Sequence, residues 1–220
     1  MPVPDASSQP PARGLFIALD GPDGGGKTTQ AARLVGWLRG LGHEVVPCRD
    51  PGGTPLGDRL RQILLDRETV NLALRAEMLL YMASRAQLVG EVIRPALEAG
   101  RVVVSDRYLL ANVVYQGYAG GLPVDEVWRV GQAATGGLMP DLTLLIDVPP
   151  EIAQIRVGPP RDRMEDRPEA FRERVREGFQ RAAESYPAPI AVIDGRADAD
   201  AVTARLQDEV QRVLALRSRS

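Results

Sequence analysis

Lysine is all but missing from this chain. Of its 27 lysines and arginines only Lys27 is a lysine, so arginine serves wherever a positive charge alone is wanted. Histidine and cysteine occur once each, as His43 and Cys48. A single cysteine excludes an internal disulfide framework and suits a reducing compartment. Nothing around Cys48 favours a thiolate, and it reads as a small apolar filler. His43 opens a strand beside a glycine turn and reads as a surface residue, which leaves no histidine to act as a general base. A basic excess is also lacking: the formal net charge is −2, which argues against a nucleic-acid partner. No apolar run approaches the roughly 18–20 residues that span a bilayer, so no membrane association is expected. The opening MPVPDASSQPPARG has no apolar signal core and is rich in proline and serine. Residues 1–13 are therefore expected to form a disordered tail, residues 14–220 a single domain, and the protein to be cytoplasmic.

What is present is an alternation of short apolar runs with longer stretches of helical period. GLFIALD (14–20), HEVVPC (43–48), RVVVSD (101–106), DLTLLIDV (141–148) and PIAVID (189–194) read as five buried strands. Between them lie helices ending near Gly40 and spanning 56–66, 71–100, 108–117, 123–136 and 197–215. Pro95 should bend or interrupt the longest of these. The pattern predicts an α/β fold with a five-stranded parallel sheet and helices on both faces. LRAEMLLYMA, in the long helix, is apolar over most of its circumference, so it is either central or covered by another subunit.

The lone lysine sits in DGPDGGGKTTQ (20–30), directly after the first strand and before a helix. Gly21, Gly26, Lys27 and Thr28 form the G-x4-G-K-T pattern of a P-loop. Glycines let successive backbone N–H groups converge on phosphate oxygens, and the helix turns its positive end toward the same anion. A compact ammonium on a flexible stem can fold over that loop, whereas a guanidinium is bulkier and wants two acceptors. The ATP-binding residues are expected to be Gly21, Pro22, Asp23, Gly24, Gly25, Gly26, Lys27, Thr28 and Thr29, with Thr28 offering a hydroxyl to Mg²⁺.

The third strand closes on DRY (106–108), placing Asp106 where it could hold Mg²⁺ and Arg107 where it could reach a phosphate. RDRMEDR (161–167) supplies Arg161, Arg163 and Arg167 on an expected arginine-bearing lid, about 158–168. No N-K-x-D motif for guanine is found, which argues against a GTPase switch.

Taken together, these segments resemble the thymidylate kinase family, which phosphorylates dTMP to dTDP with ATP. The resemblance rests on the P-loop, on RDPGGTPLGDRLRQILL (49–65), on LLYMASRAQ (79–87) and on DRYLLANVVYQG (106–117). It implies a P-loop NTPase fold, Mg²⁺ with ATP, and a homodimer. It further implies that Arg85 meets a thymine carbonyl, that Tyr81 lies against the base, and that Asn112 and Gln116 lie at the base site. Tyr115 would lie against the sugar, Arg49 and Arg107 would hold the acceptor phosphate, and Asp23 would sit near the 3′-hydroxyl and the metal. Lys27, Arg107 and the lid arginines Arg161, Arg163 and Arg167 would be catalytic, Arg163 foremost, with Arg156 an outlying candidate. The attacking group is already an anionic phosphate oxygen, so no general base is required.

The chain departs from the family pattern at four places. Asp20 and Asp50 stand where glutamate is usual, Ser84 replaces an acidic residue before Arg85, and Ala111 removes a hydroxyl. The residues alone leave two other readings open, a kinase for another (deoxy)nucleoside or nucleotide and a non-catalytic ATP-binding module.

Overall fold

In the computed structural model of the chain, residues 13–66, 72–157, 164 and 166–218 are described. Five strands, β1 (Phe16–Asp20), β2 (Val45–Arg49), β3 (Val102–Asp106), β4 (Leu142–Asp147) and β5 (Ile190–Asp194), form one sheet. The order is β2-β3-β1-β4-β5, and every pairing is parallel. The five expected strands are all present, each starting one or two residues later than the apolar run suggests.

Alternation along β1 decides how the layers assemble. Ile17 and Leu19 point to one face, where α1 (Lys27–Gly40) and α9 (Ala199–Arg217) pack through Leu34, Leu38, Leu206 and Val210. Phe16 and Ala18 point to the other, against Met78 and Met82 of α3 (Leu74–Leu88) and Val127 of α6 (Val124–Thr135). On that second face α8 (Glu169–Glu184) covers Leu145 of β4 through Phe171, Val175 and Phe179. With both faces covered, all of β1 is buried, which is why its sequence reads as an unbroken apolar run.

α2 (Pro55–Leu65) begins where its sequence says it should. Thr54 caps it, accepting from the Gly57 N–H at 2.9 Å, and Pro55 needs no partner for its missing donor. The long helix expected over 71–100 is divided. α3 runs to Leu88, a wider turn spans Val89–Ile93, and α4 covers Arg94–Glu98. Pro95 has no N–H to continue the four-residue pattern, and the Arg94 N–H reaches back five residues to Val89 O. The helix expected over 108–117 is likewise α5 (Leu109–Asn112) followed by a wide turn at Val113–Tyr118, closed by Ala119 N–H to Val114 O at 2.8 Å. α7 (Pro150–Val157) has no counterpart in the sequence reading. Its proline pair signals a break, yet proline also suits a helix's first turn. Among the described residues no helix is long and apolar enough to cross a membrane.

All five strands end on a charged residue: Asp20, Arg49, Asp106, Asp147 and Asp194. This carboxyl edge is where ligands settle in open parallel sheets, outside the strand ends at a change in strand order. Here β1 lies between β3 and β4, and its loop opens at that edge.

Candidate active site

The loop 21–26 joins β1 to α1. Gly21 has φ 139°, and a Cβ there would lie 2.3 Å from the carbonyl oxygen of Ile146 on β4, so only glycine lets the two backbones approach. Gly26 takes the left-handed conformation at the head of α1. The loop closes on itself by Gly25 N–H to Pro22 O at 3.2 Å. Lys27, the first residue of α1, folds back and donates from Nζ to Pro22 O at 2.7 Å. Burial, and then the nearby Arg107 guanidinium, push its ammonium down to about 8 against the pull of Asp23, Asp106 and Asp20. Thr28 Oγ1 donates to Asp106 Oδ2 at 2.6 Å, while Thr29 is exposed in the same turn.

Arg107 ties this loop to a second pocket. Its backbone is left-handed, φ 70°, unusual for a side chain of this size, and its N–H is held by Leu19 O at 2.8 Å. The guanidinium donates to Gly21 O at 2.9 Å, forms an ion pair with Asp23, and lies 5.2 Å from the ring centroid of Tyr115. The Tyr115 hydroxyl donates to Asp23 Oδ2 at 2.8 Å. Burial pushes the Asp23 carboxyl up, but Arg107, Lys27 and these hydrogen bonds outweigh it and hold the group below the usual range. Asp20 is less well served. It is fully buried, 4.0 Å from Arg107, and neither carboxylate oxygen has a hydrogen-bond partner. Burial raises it to about 7 in spite of Arg107 and Lys27.

Asp23, Tyr81, Arg85, Arg107, Asn112, Tyr115 and Gln116 share this second pocket with Asp50, Pro51, Arg61, Leu65, Ala111 and Met164. Arg85 is 2% exposed. It pairs through Nε with Asp50 Oδ2 at 2.5 Å and donates to Asn112 Oδ1 at 2.9 Å and Tyr108 O at 3.3 Å. The shorter Asp50 therefore still reaches Arg85. Burial nonetheless raises the Asp50 carboxyl, Arg85 opposing it. Ser84 is also accounted for: its hydroxyl accepts the Gly52 N–H at 3.1 Å, fixing the PGGT turn against α3. From Asn112 the hydrogen bonds continue to Gln116 and then to Glu77 on α3.

Several expected residues are placed elsewhere. Arg49, in register with Asp106, is half exposed and faces an open groove with Thr28, Asp106 and Asp58, 3.7 Å from the Asp58 carboxylate. Arg61 of α2, which the sequence reading passed over, lines the second pocket instead. Its signal was an arginine on the helix following PGGT. Arg167 pairs with Glu77 at 3.4 Å and lies over the ring of Phe171, because a nearly inaccessible carboxylate such as Glu77 draws in a cation. Arg156 donates to Gly195 O at 2.8 Å, in the loop after β5. Arg161 and Arg163, like residues 1–12 of the expected tail and most of the expected lid, lie outside the described residues.

A magnesium ion prefers a few hard oxygens and keeps much of its shell for water and phosphate. The Thr28 hydroxyl and Asp106 carboxylate, already in contact, fit that requirement. Asp23 has one oxygen on Arg107 and the other on Tyr115. No cluster of three or more His, Cys, Asp or Glu side chains placed to hold a metal ion occurs among the described residues.

The sheet, loop and lysine define a P-loop NTPase fold, and the pocket across Arg107 gives it room for a second ligand. The family profile described as thymidylate kinase matches residues 19–206. The thymidylate kinase of Exiguobacterium sp. is 45% identical over 199 residues, covering 90% of this chain and 92% of that protein. That of Deinococcus radiodurans is 46% identical over 198 residues, covering 89% and 95%. The chain belongs to the thymidylate kinase family.

Proposed function

We propose that the protein transfers the γ-phosphoryl group of ATP to dTMP, giving dTDP and ADP. The observation that carries this reading is Arg107, which touches the P-loop at Gly21 and Asp23 while lining the neighbouring pocket. One guanidinium can thus face both phosphate groups that must react. An acceptor phosphate oxygen attacks the γ-phosphorus, the bond to the β–γ bridging oxygen breaks, and ADP departs. No proton need be removed from the nucleophile, so catalysis is alignment and neutralisation of two polyanions.

In this reading the residues 21–29 cradle the ATP phosphates, and Lys27 spans the β- and γ-groups. Thr28 and Asp106 would hold Mg²⁺, which would supply Lewis-acid neutralisation of the phosphate oxygens. Arg85, Asn112 and Gln116 form the polar wall for thymine, with Tyr81 against the base. Tyr115 and Asp23 meet the deoxyribose, and Arg61 joins Arg107 at the acceptor phosphate, with Arg49 nearby. Arg161 and Arg163 add positive charge to the transferring group. Residues 14–220 act as one catalytic unit in the cytoplasm, which cell fractionation would test.

The reaction is tested by ADP release from Mg-ATP with each nucleoside monophosphate in turn and with none. Fast release with dTMP is expected. Release only with another acceptor would reassign the pocket, and tight ATP binding without any release would make the protein a non-catalytic module.

We also propose a homodimer. α3 turns Leu79, Ala83 and Ala86 outward, Gly90 of the following wide turn is exposed beside them, and Leu56 and Ile63 of the adjoining α2 are exposed as well. An apolar helix face of this kind is costly to leave in water. Sedimentation at micromolar concentration should give twice the 23.8 kDa chain mass; a monomer would overturn the assignment.

A further inference from the structure

An unbroken line of polar contacts crosses the second pocket. Arg85 Nη1 donates to Asn112 Oδ1 at 2.9 Å, Asn112 Nδ2 to Gln116 Oε1 at 2.6 Å, and Gln116 Nε2 to Glu77 Oε1 at 2.8 Å. All four side chains are almost inaccessible, at 2%, 2%, 1% and 1% exposure in that order. The two ends of the line are chemically one-sided. A guanidinium can only donate and a carboxylate only accept, whereas each amide between them can turn either way. Arg85 therefore forces Asn112 to present its oxygen, and Glu77 forces Gln116 to present its nitrogen. The middle contact then has the only polarity compatible with both ends.

We propose that Glu77 is a positioning residue for base selection, fixing the direction of the Gln116 amide in the acceptor pocket. The inference rests on the proposed reaction with a pyrimidine nucleotide. Of the base-facing groups, Asn112, Gln116 and Arg85 line the pocket, and Glu77 acts from behind them. With the amides held this way, one lone pair of each amide oxygen is used within the line and the other is left for a ligand. A 4-oxo pyrimidine carries a hydrogen on N3 that such an oxygen accepts, and an exocyclic oxygen suited to Arg85. A 4-amino pyrimidine offers a bare N3 and an amino group, and meets acceptors with an acceptor and a cation with a donor. A mismatch of that kind in a buried site is strongly disfavoured. Turned over, Gln116 would offer N–H to the bare N3, and its direction thus bears on which pyrimidine is taken.

Arg167 pairs with Glu77 Oε2 at 3.4 Å, while Glu77 Oε1 accepts from Gln116. Its contact is with the charge of Glu77 and not with the amide line, so the two contributions separate by substitution. Glu77→Gln keeps size and shape but can donate as well as accept. The direction of Gln116 then rests on Asn112 alone. Arg167→Gln removes the ion pair but leaves the carboxylate facing Gln116.

The experiment compares kcat/KM for dTMP, dUMP and dCMP in the unmodified protein and both variants. A ratio of two acceptors is indifferent to the fraction of protein folded. The unmodified protein should favour dTMP and dUMP over dCMP. In Glu77→Gln the dTMP-to-dCMP ratio should fall about tenfold, the scale of one mispaired buried hydrogen bond, and part of the fall should be a gain with dCMP. Arg167→Gln should keep the ratio, whatever it does to the rate. An unchanged ratio in Glu77→Gln, or equal losses with both acceptors, overturns the role given to Glu77. A ratio narrowed as much by Arg167→Gln assigns the effect to the ion pair and overturns it too. Inactivity of the unmodified protein toward dTMP overturns the reaction itself, and this inference with it.

Discussion

Tyr115 and Asp23, 92 positions apart in the chain, meet through a 2.8 Å hydrogen bond from the phenol to Asp23 Oδ2. Arg107 binds the other oxygen of the same carboxylate and lies against the Tyr115 ring. The three side chains lock the P-loop, the turn after β3 and the wide turn after α5 to one another. Tyr115 packs on Phe171 and Phe179 as well, so the ring stays in place without its hydroxyl.

Tyr115→Phe should therefore fold normally and lose activity. A hydrogen bond to a charged group contributes about 1.5–3 kcal/mol, so kcat/KM for dTMP should fall by ~10–100-fold. Steady-state kinetics beside a melting curve separates the two effects. An unchanged kcat/KM would show that Arg107 alone positions Asp23.

Lys27→Arg preserves charge and should still cost ~10²–10³-fold in kcat, the scale of one preorganised electrostatic contact at a reacting group. Lys27 is 6% exposed and its Nζ already lies 2.7 Å from Pro22 O, leaving little room for a planar fork. ADP release is the readout. Full activity in the arginine variant would remove the steric reason for the chain's only lysine.

The pH dependence should show Lys27 directly. Its ammonium is depressed to about 8 in the free protein, chiefly by burial and then by Arg107. As pH rises through 8 the charge that receives ATP is lost, and kcat/KM for ATP should fall about tenfold per unit. Once ATP is bound its phosphates favour the ammonium, so kcat should decline at higher pH. Profiles of the two parameters breaking at the same pH would contradict this.

Asp20 should make the fold sensitive to pH from the opposite side. Its carboxyl is raised from 3.8 to about 7, so the folded state binds a proton that the unfolded state releases. The contribution of Asp20 is intact below about pH 4 and is lost as pH rises toward 7, by on the order of 4 kcal/mol. Asp20→Asn should thus lose less stability than the unmodified protein between pH 5 and 8, measured by denaturant midpoints. Parallel losses in the two proteins would place the buried charge elsewhere.

The sheet and the P-loop were legible in the sequence because each is a local matter. Apolar runs such as FIALD and VVVSD bury both faces, and Gly21, Gly26, Lys27 and Thr28 lie within eight residues of each other. The PGGT turn, the Asp-Arg-Tyr segment and the grouping of Tyr81, Arg85, Asn112 and Tyr115, which line one pocket, were legible too, through their resemblance to a known family. Glu77, Arg61 and the partner of Arg167 were not. A glutamate inside LRAEMLL and an arginine on an amphipathic helix look like any helical charge until the chain folds.

What the sequence by itself determined is the parallel sheet, the phosphate loop after its first strand, and the membership of the chain in its family. Only the tertiary structure showed that Arg107 touches the P-loop while lining the second pocket, that Arg61 lines that pocket while Arg49 faces the groove beside Thr28, and that Glu77 terminates the amide line. Hydrophobic period and glycine spacing act between near neighbours along the chain. The polarity of a buried amide is set by whichever charged groups the fold brings to its two ends, here Arg85 and Glu77 of α3 against the amides of α5 and the turn after it.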